Sequence, residues 1–205
     1  MQFFAHFSRF CALKGGRMRK NIAIFASGNG TNAENLIRFF QNSPVADVKL
    51  ILCNRSKAYV LERAERLHVP YRYFPKEEWT DGRLILAVLQ EYDIDFIALA
   101  GFLAFVPSVI LQAYPDKIVN IHPSLLPKFA GKGMYGLKVH ESVLSAHELE
   151  SGISIHYVNE QYDEGEIIAQ YRCPVLPDDT PAALAARVHA LEYEFYPKVI
   201  EQLLV

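Results

Sequence analysis

The sequence predicts an α/β protein with a doubly wound, mostly parallel sheet, to which an antiparallel hairpin and a C-terminal helix are appended. Continuous apolar runs, typical of strands buried on both faces, alternate with segments whose apolar residues recur every three to four positions. No glycine- or proline-rich linker separates these units, which favours one domain. After Gly136 the pattern changes to two strand-like runs around the turn Asp163-Glu164-Gly165, which predicts the hairpin.

The individual elements follow from the same two patterns. The apolar run at residues 21–27 predicts the first strand, and from Ala33 to Phe40 the apolar residues fall at i, i+3, i+4 and i+7, on one helical face. Thr180 before Pro181 is typical of a helix start. The remaining predicted elements are strands at 48–53, 71–74, 94–100, 117–122, 153–158 and 166–173, helices at 57–67, 79–92 and 137–146, and a short helix opened by Pro107.

The composition and the net charge indicate an ordinary globular protein. A chain of 205 residues with 51% hydrophobic residues can bury a sizeable core without metal or disulfides. The formal net charge of −2 argues against broad electrostatic binding of nucleic acid. Three widely spaced cysteines form no disulfide framework and no CxxC pair, so we expect a reducing, cytoplasmic environment.

Two segments must be distinguished from a membrane span and from a signal peptide. Residues 96–115 carry no charge and approach the length of a membrane span, but Gly101, Pro107 and Pro115 interrupt them, so we expect buried core and no membrane partner. Residues 1–17 lack the continuous apolar region of a signal peptide. We expect these 17 residues to be an extension outside the core, with a single domain at residues 18–205.

The sequence Ser27-Gly28-Asn29-Gly30-Thr31-Asn32, called the glycine loop below, joins the first strand to the first helix. Thr31 and Glu34 have the spacing of a capping box, and free N–H groups at a helix start favour an anion. A tight turn with no ligand is the alternative. The loop also matches a dinucleotide fingerprint, but Cys53-Asn54-Arg55 stands where the acid that binds NAD is expected, which leaves only an NADP interpretation through Arg55.

Asn120 and His122 alternate at the end of the last parallel strand, where open α/β sheets bind ligands. An amide and an imidazole together can hold and protonate a developing oxyanion. Asp163, at the hairpin turn, can fold back, pair with His122 and raise its pKa; a simple turn-forming role is the alternative. The other histidines and the cysteines lack metal-ligand spacing, so we expect no metal site.

Several motifs, in order and spacing, resemble the phosphoribosylglycinamide formyltransferases, folate-dependent enzymes of purine synthesis. The motifs are SGNGTN, AGFLAFVP, VNIHPSLLP, GISIHYV, YDEGEIIAQ and ARVHALEYEFYP, and they cover residues 21–205. The resemblance implies a Rossmann-like formyltransferase fold and transfer of the formyl group of 10-formyltetrahydrofolate to phosphoribosylglycinamide. It also implies small-molecule partners only, and a monomer or a homodimer.

The resemblance also implies roles for particular residues. Asn120 would hold the formyl oxygen, His122 would act as general acid, and Asp163 would orient His122 and assist proton removal. Glu192 would contact the ribose. The substrate-binding set, with the phosphate at the glycine loop, would be Gly30, Thr31, Asn32, His189, Ala190, Leu191 and Glu192. The residues around the folate would be Leu103, Ala104, Phe105, Val106, Asn120, Asn159, Glu160, Gln161, Tyr162 and Asp163.

The chain departs from the common family pattern at two places. Ala104 stands where many members carry arginine, and the loop at residues 131–138 is longer than usual. The alternative functions are another formyltransferase or hydrolase that uses 10-formyltetrahydrofolate, and a non-catalytic phosphate- or nucleotide-sensing module. A sensing module needs the glycine loop but not the joint action of Asn120, His122 and Asp163.

Overall fold

The computed structural model describes residues 19–131 and 133–205, so the predicted extension at residues 1–17 lies outside the described residues. The strands are β1 (Lys20–Ala26), β2 (Ala46–Cys53), β3 (Tyr71–Tyr73), β4 (Phe96–Leu99), β5 (Ile118–His122), β6 (Glu150–Tyr157) and β7 (Ile167–Pro174). The helices are α1 (Thr31–Phe40), α2 (Val60–Arg66), α3 (Glu78–Asp81), α4 (Arg83–Glu91), α5 (Ser108–Ala113), α6 (Leu137–Ser145) and α7 (Pro181–Leu204).

The described strands form one sheet in the order β3-β2-β1-β4-β5-β6-β7. Strands β1 to β5 pair in parallel, while β6 pairs antiparallel with both β5 and β7. The predicted doubly wound sheet with an antiparallel hairpin is confirmed. The strand order reverses between β1 and β4, and open α/β sheets bind ligands at the carboxyl edge beside such a reversal.

The sheet is buried on both faces, as the apolar strands predict. Neighbouring residues of β1 point to opposite sides: Ile24 packs in a core with Tyr196 of α7, and Phe25 packs in the other core with Trp79 and Phe102. The Phe25 and Trp79 rings meet edge to face, with centroids 5.2 Å apart. These two cores fix the carboxyl edge of the sheet between layers of helices.

The uncharged stretch at residues 96–115 belongs to this core. It forms β4, α5 and the loop between them, and Phe96 and Ile110 are buried. Among residues 19–131 and 133–205, no helix has both the length and the apolar character needed to cross a membrane.

One predicted helix is divided in the structure. The segment predicted at 79–92 forms α3 and α4, which are separated by Gly82 with φ of +75°. A Cβ at Gly82 would lie 2.4 Å from the Pro107 Cβ, so this close approach also requires glycine. The helical periodicity is right on both sides of the break, but it cannot detect the contact that causes it.

The predicted capping box between Thr31 and Glu34 was wrong. Helix α1 begins at Thr31 itself, Gly30 takes the cap position with φ of +78°, and no side chain caps the helix. The Glu34 N–H donates to the Gly30 carbonyl at 2.9 Å. The Glu34 carboxylate instead pairs with Arg38, Arg63 and Arg66, because three cations are a stronger attraction than one backbone N–H.

Candidate active site

Strand β5 ends with two polar side chains at the carboxyl edge of the sheet. Asn120 and His122 alternate with the buried Ile121, and His122 is only 4% exposed. The turn after β6 lies beside this end of β5. There the carboxylate of Asp163, held at φ of +55°, lies with Oδ2 3.5 Å from His122 Nδ1 and Oδ1 3.4 Å from Asn120 Nδ2.

Two further groups complete this cluster. The N–H of Gly131, in the loop after β5, donates to Asp163 Oδ2 at 3.0 Å. His156 of β6 is the register partner of Asn120, and its Nε2 lies 3.1 Å from Asn120 Nδ2 and 3.7 Å from Asp163 Oδ1. The sequence alone does not place His156 in the site. The alternation in ISIHYV shows that His156 shares a face with Ser154, but only the strand register places it opposite Asn120.

The backbone carbonyl beside each ring fixes the proton positions of both histidines. His156 Nδ1 lies 2.8 Å from the Tyr157 carbonyl, which can only accept, so Nδ1 carries the hydrogen and Nε2 accepts from Asn120. In the same way, His122 Nε2 lies 2.8 Å from the Phe129 carbonyl and donates to it. The Nδ1 of neutral His122 is therefore unprotonated and faces Asp163, so that this atom can take up one proton.

Burial and charge oppose each other in this cluster. Burial lowers the pKa of His122 below its usual value, and the Asp163 carboxylate only partly offsets this effect. Asp163 does pair with His122 and acts to raise its pKa, as expected, but the loss of water around the ring outweighs this attraction, so the net shift of the His122 pKa is downward. Burial raises the pKa of Asp163, but the Gly131 N–H and the charge of the His156 and His122 rings in their protonated form outweigh burial, and the pKa of Asp163 lies below the usual value. At neutral pH the pair is an ionised carboxylate beside a neutral imidazole.

The glycine loop presents a second group of polar atoms at the same edge. Among the described residues, none of the backbone N–H groups from Gly28 to Ala33 has a hydrogen-bond acceptor. The loop opens the ten-residue helix α1, whose dipole adds partial positive charge at this end. This arrangement can bind an anion through neutral N–H groups.

Glu192 of α7 faces the glycine loop. Its Oε2 accepts from Asn32 Nδ2 at 2.8 Å, and the residue is 6% exposed. Burial raises the pKa of Glu192, although the Asn32 bond partly opposes this. The other amide atom, Asn32 Oδ1, is buried without a hydrogen-bond partner among the described residues. The buried carboxylate and the unpaired amide oxygen can both accept hydrogen bonds from the hydroxyl groups of a ligand.

The position of Glu192 depends on how α7 packs against α1. Pro197 lies within α7 and has no N–H, so the Tyr193 carbonyl lacks its usual partner four residues later. Asn35 of α1 supplies a replacement, because its Nδ2 donates to the Tyr193 carbonyl at 2.9 Å. This bond ties the two helices together one residue from Glu192.

A profile of the family described as formyl transferase matches residues 20–200. The chain belongs to the formyl transferase family. The Arabidopsis thaliana protein named phosphoribosylglycinamide formyltransferase, chloroplastic, is 42% identical over 188 residues, which are 89% of this chain and 64% of that protein, so the chain spans less than two thirds of this relative. The Bacillus subtilis phosphoribosylglycinamide formyltransferase is 39% identical over 190 residues, 90% of this chain and 95% of that protein.

Solved structures agree with this assignment. The crystal structure of glycinamide ribonucleotide transformylase 1 from Geobacillus kaustophilus matches with a TM-score of 0.84 at 39% identity, over 92% of this chain and 100% of that chain. The resemblance seen in the sequence is confirmed at the level of the formyl transferase family.

The predicted folate-side residues of this formyl transferase form two rims that touch. The Phe105 ring is 60% exposed and meets the Tyr162 ring edge to face, with centroids 4.4 Å apart. Leu103 is held at the glycine loop, because its N–H donates to Ser27 Oγ at 2.8 Å. Asn159, Glu160 and Gln161 are exposed on the opposite rim.

The side chains of several predicted site residues lie in the cores or in solvent. Val106 and Leu191 pack in or against the cores, and Ala104 packs against the same core as Val106. Ala190 is exposed, and His189 lies beside Tyr193, with ring centroids 6.3 Å apart. In the described part of the chain, no group of three or more His, Cys, Asp and Glu side chains is arranged to hold a metal ion.

Proposed function

We propose that the protein transfers the formyl group of 10-formyltetrahydrofolate to the amine of phosphoribosylglycinamide, a step of purine synthesis. The observation that carries the proposal is the convergence of Asn120, His122 and Asp163 at the carboxyl end of β5. The Asp163 carboxylate lies 3.4 Å from Asn120 Nδ2 and 3.5 Å from His122 Nδ1. Membership of the formyl transferase family and relatives named for this activity support the same reaction.

The substrate phosphate binds at the glycine loop through Gly30, Thr31 and Asn32, and the ribose hydroxyls bind at Glu192. The unpartnered N–H groups and the buried, orphaned Asn32 Oδ1 support these two placements. His189, Ala190 and Leu191 stay in the proposal as the turn of α7 that carries Glu192, with side chains that need not touch the ligand.

The folate lies between the two rims, Leu103 to Val106 on one side and Asn159 to Asp163 on the other. The Phe105–Tyr162 contact supports this placement, because it brings one residue of each rim together. Ala104 offers no charge to the folate, so in this chain the rim binds through apolar and aromatic contact.

The cluster has the groups that formyl transfer needs. As the amine attacks the formyl carbon, negative charge develops on the formyl oxygen, and the Asn120 N–H that faces Asp163 at a long 3.4 Å can turn to this oxygen. The proton that leaves the amine can pass to His122 Nδ1, where Asp163 stabilises the imidazolium. His122 then returns the proton to the leaving nitrogen as a general acid.

The alternatives differ in what they require from the same residues. A hydrolase would release formate from 10-formyltetrahydrofolate without an amine, and a sensing module would bind phosphate without chemistry. The test is incubation of the purified protein with isotopically labelled 10-formyltetrahydrofolate, with and without phosphoribosylglycinamide. We expect labelled formyl-phosphoribosylglycinamide and little formate. Formate alone favours a hydrolase, and binding of ribose 5-phosphate with no label transfer favours a sensing module.

We also propose the domain bounds, the oligomeric state, the compartment and the metal independence of the protein. The domain spans residues 18–205 and works as a monomer or homodimer in the cytoplasm, without metal, membrane or nucleic acid. The net charge of −2 and the buried thiols of Cys53 and Cys173 support this environment. Because the Arabidopsis relative is named as chloroplastic, fractionation of cells that express the tagged full chain is the test of compartment. Activity retained after dialysis against a chelator is the test of metal independence.

A further inference from the structure

We propose that Arg63 is a positioning residue that sets the glycine loop in the shape required to bind the substrate phosphate. The proposal rests on the proposed function for the identity of the substrate. It concerns a residue of α2 that takes no part in the groups assigned above to the phosphate, the ribose or the folate.

Arg63 uses each of its guanidinium nitrogens. Nε donates to the Asn29 carbonyl at 2.8 Å, and Nη2 donates to Asn29 Oδ1 at 2.6 Å. Nη1 pairs with the Glu34 carboxylate. The guanidinium also lies over the Tyr59 ring, with its carbon 4.9 Å from the centroid, and the side chain is 17% exposed. Arg63 therefore joins the glycine loop, α1 and α2 at one fixed point.

The bond to the Asn29 carbonyl determines where a phosphate donor points. The Asn29 C=O and the Gly30 N–H belong to the same planar trans peptide, so they point in opposite directions. When Arg63 holds the carbonyl, it orients the Gly30 N–H away from α2. Gly30 has φ of +78° and backs onto Val60, so the conformation after this peptide is also fixed.

The glycine loop needs such a constraint because its own backbone makes few hydrogen bonds that would fix its conformation. The N–H groups from Gly28 to Ala33 have no acceptors among the described residues, and the Gly28 carbonyl is held by the Val60 N–H at 3.1 Å. Glycines at two of the six positions leave the free chain with many conformations. A loop already in its bound conformation loses less entropy when the ligand binds.

Geometry and not charge is the contribution of Arg63. Glu34 pairs with Arg38 and Arg66 as well as with Arg63, so the cluster around Glu34 keeps an excess of positive charge when Arg63 alone is removed. A lysine at position 63 would keep the charge but could not make the forked contact to both oxygens of Asn29. Arg66 offers a matched control, because its Nη2 donates to the same Glu34 Oε2 at 2.7 Å but makes no hydrogen bond to the loop.

The test compares the purified full chain with Arg63→Ala, Arg63→Lys and Arg66→Ala. The readouts are the Kd for ribose 5-phosphate by calorimetry, the KM for each substrate, kcat and Tm. For both Arg63 variants we expect the Kd and the KM for phosphoribosylglycinamide to rise about tenfold or more, from the loss of two bonds with a charged donor. The KM for 10-formyltetrahydrofolate should stay within about twofold, and Arg66→Ala should match the wild type.

Other outcomes overturn the proposal. Wild-type affinity in Arg63→Lys would assign the effect to charge, and equal weakening in Arg66→Ala would assign it to the ion pairs of Glu34. A large loss of Tm in both Arg63 variants, or an equal rise in both KM values, would make Arg63 a residue of the general fold. If the wild type binds ribose 5-phosphate but transfers no formyl group, the proposed function fails while the Kd values still test Arg63.

Discussion

Asn120 and His156 face each other across the antiparallel pair β5–β6, with the amide nitrogen 3.1 Å from the ring Nε2. This contact takes one N–H of the Asn120 amide and leaves the second directed at Asp163. His156 therefore determines which way the Asn120 amide turns, and with it the direction of the second N–H, the proposed donor to the formyl oxygen.

Replacing His156 with alanine should lower kcat by about tenfold, because a reoriented amide is a misplaced oxyanion donor. The KM values should change little, since His156 is not among the residues proposed to bind either substrate. Steady-state kinetics of His156→Ala are the measurement. His68→Asn is the matched control, because it replaces an exposed histidine that precedes β3, at the opposite edge of the sheet, and asparagine tolerates its φ of +57°. An unchanged kcat in His156→Ala would remove His156 from the site.

Glu192→Gln should stabilise the protein and weaken substrate binding. Burial raises the pKa of Glu192, so the folded state holds an ionised group at a cost once the pH exceeds the unfolded pKa. A glutamine removes this cost, can still accept from Asn32 Nδ2, and can donate to the orphaned Asn32 Oδ1. We expect Tm at pH 7 to rise by about 2 to 4 °C. The KM for phosphoribosylglycinamide should rise about tenfold or more, because a charged acceptor for the ribose is lost. A lower Tm with an unchanged KM would contradict both parts.

The two glycines of the loop should respond differently to alanine. A Cβ at Gly30 would lie 2.5 Å from the Val60 Cγ2 at a φ of +78°, so Gly30→Ala should destabilise the fold by about 1–3 kcal/mol. A Cβ at Gly28 meets nothing within 4 Å, so Gly28→Ala should keep the wild-type Tm but hinder the approach of a phosphate. Denaturation and calorimetry with ribose 5-phosphate check the pair. Unchanged ribose 5-phosphate affinity in Gly28→Ala would place the phosphate away from this part of the loop.

His140 should make the fold sensitive to mild acid. Burial and, to a smaller extent, the nearby His189 lower the pKa of His140 to about 4. The unfolded chain therefore takes up this proton first, and stability falls as the pH drops below about 6.5, by about 3 kcal/mol at pH 4. Urea denaturation of His140→Leu between pH 7.5 and 4 should show a loss smaller by about that amount. The pKa of Asp163 is lowered below its usual value, so the contribution of Asp163 to the free energy of unfolding is lost only at a pH below that of the His140 effect. Parallel pH profiles of wild type and His140→Leu would show that His140 is not the sensitive group.

The sequence predicts the sheet well because burial on both faces leaves a direct signature in β1, β2 and β4. It predicts Asn120 and His122 because their alternation follows from the period of a strand. It cannot predict His156 or the Gly131 N–H, since these depend on the β5–β6 register and on a loop folding over Asp163. The sign of the His122 pKa shift also needs the structure, because burial competes with charge.

The capping error has a similar cause. Thr31 and Glu34 carry the right residue types at the right spacing, but Arg63 and Arg66 come from a helix some thirty residues later and bind the carboxylate. Tertiary contacts outweigh a local preference in this case, and these ion pairs link α2 to α1.

The most direct test of the account is single-turnover formyl transfer by His122→Ala, Asn120→Ala and Asp163→Ala, each shown to be folded by circular dichroism. We expect each rate to fall about a hundredfold or more, and the triple variant to be scarcely slower than the slowest single one, because the three groups act as a unit. His68→Asn should transfer the formyl group at the wild-type rate. A near-wild-type rate in folded His122→Ala would contradict the formyl-transfer mechanism.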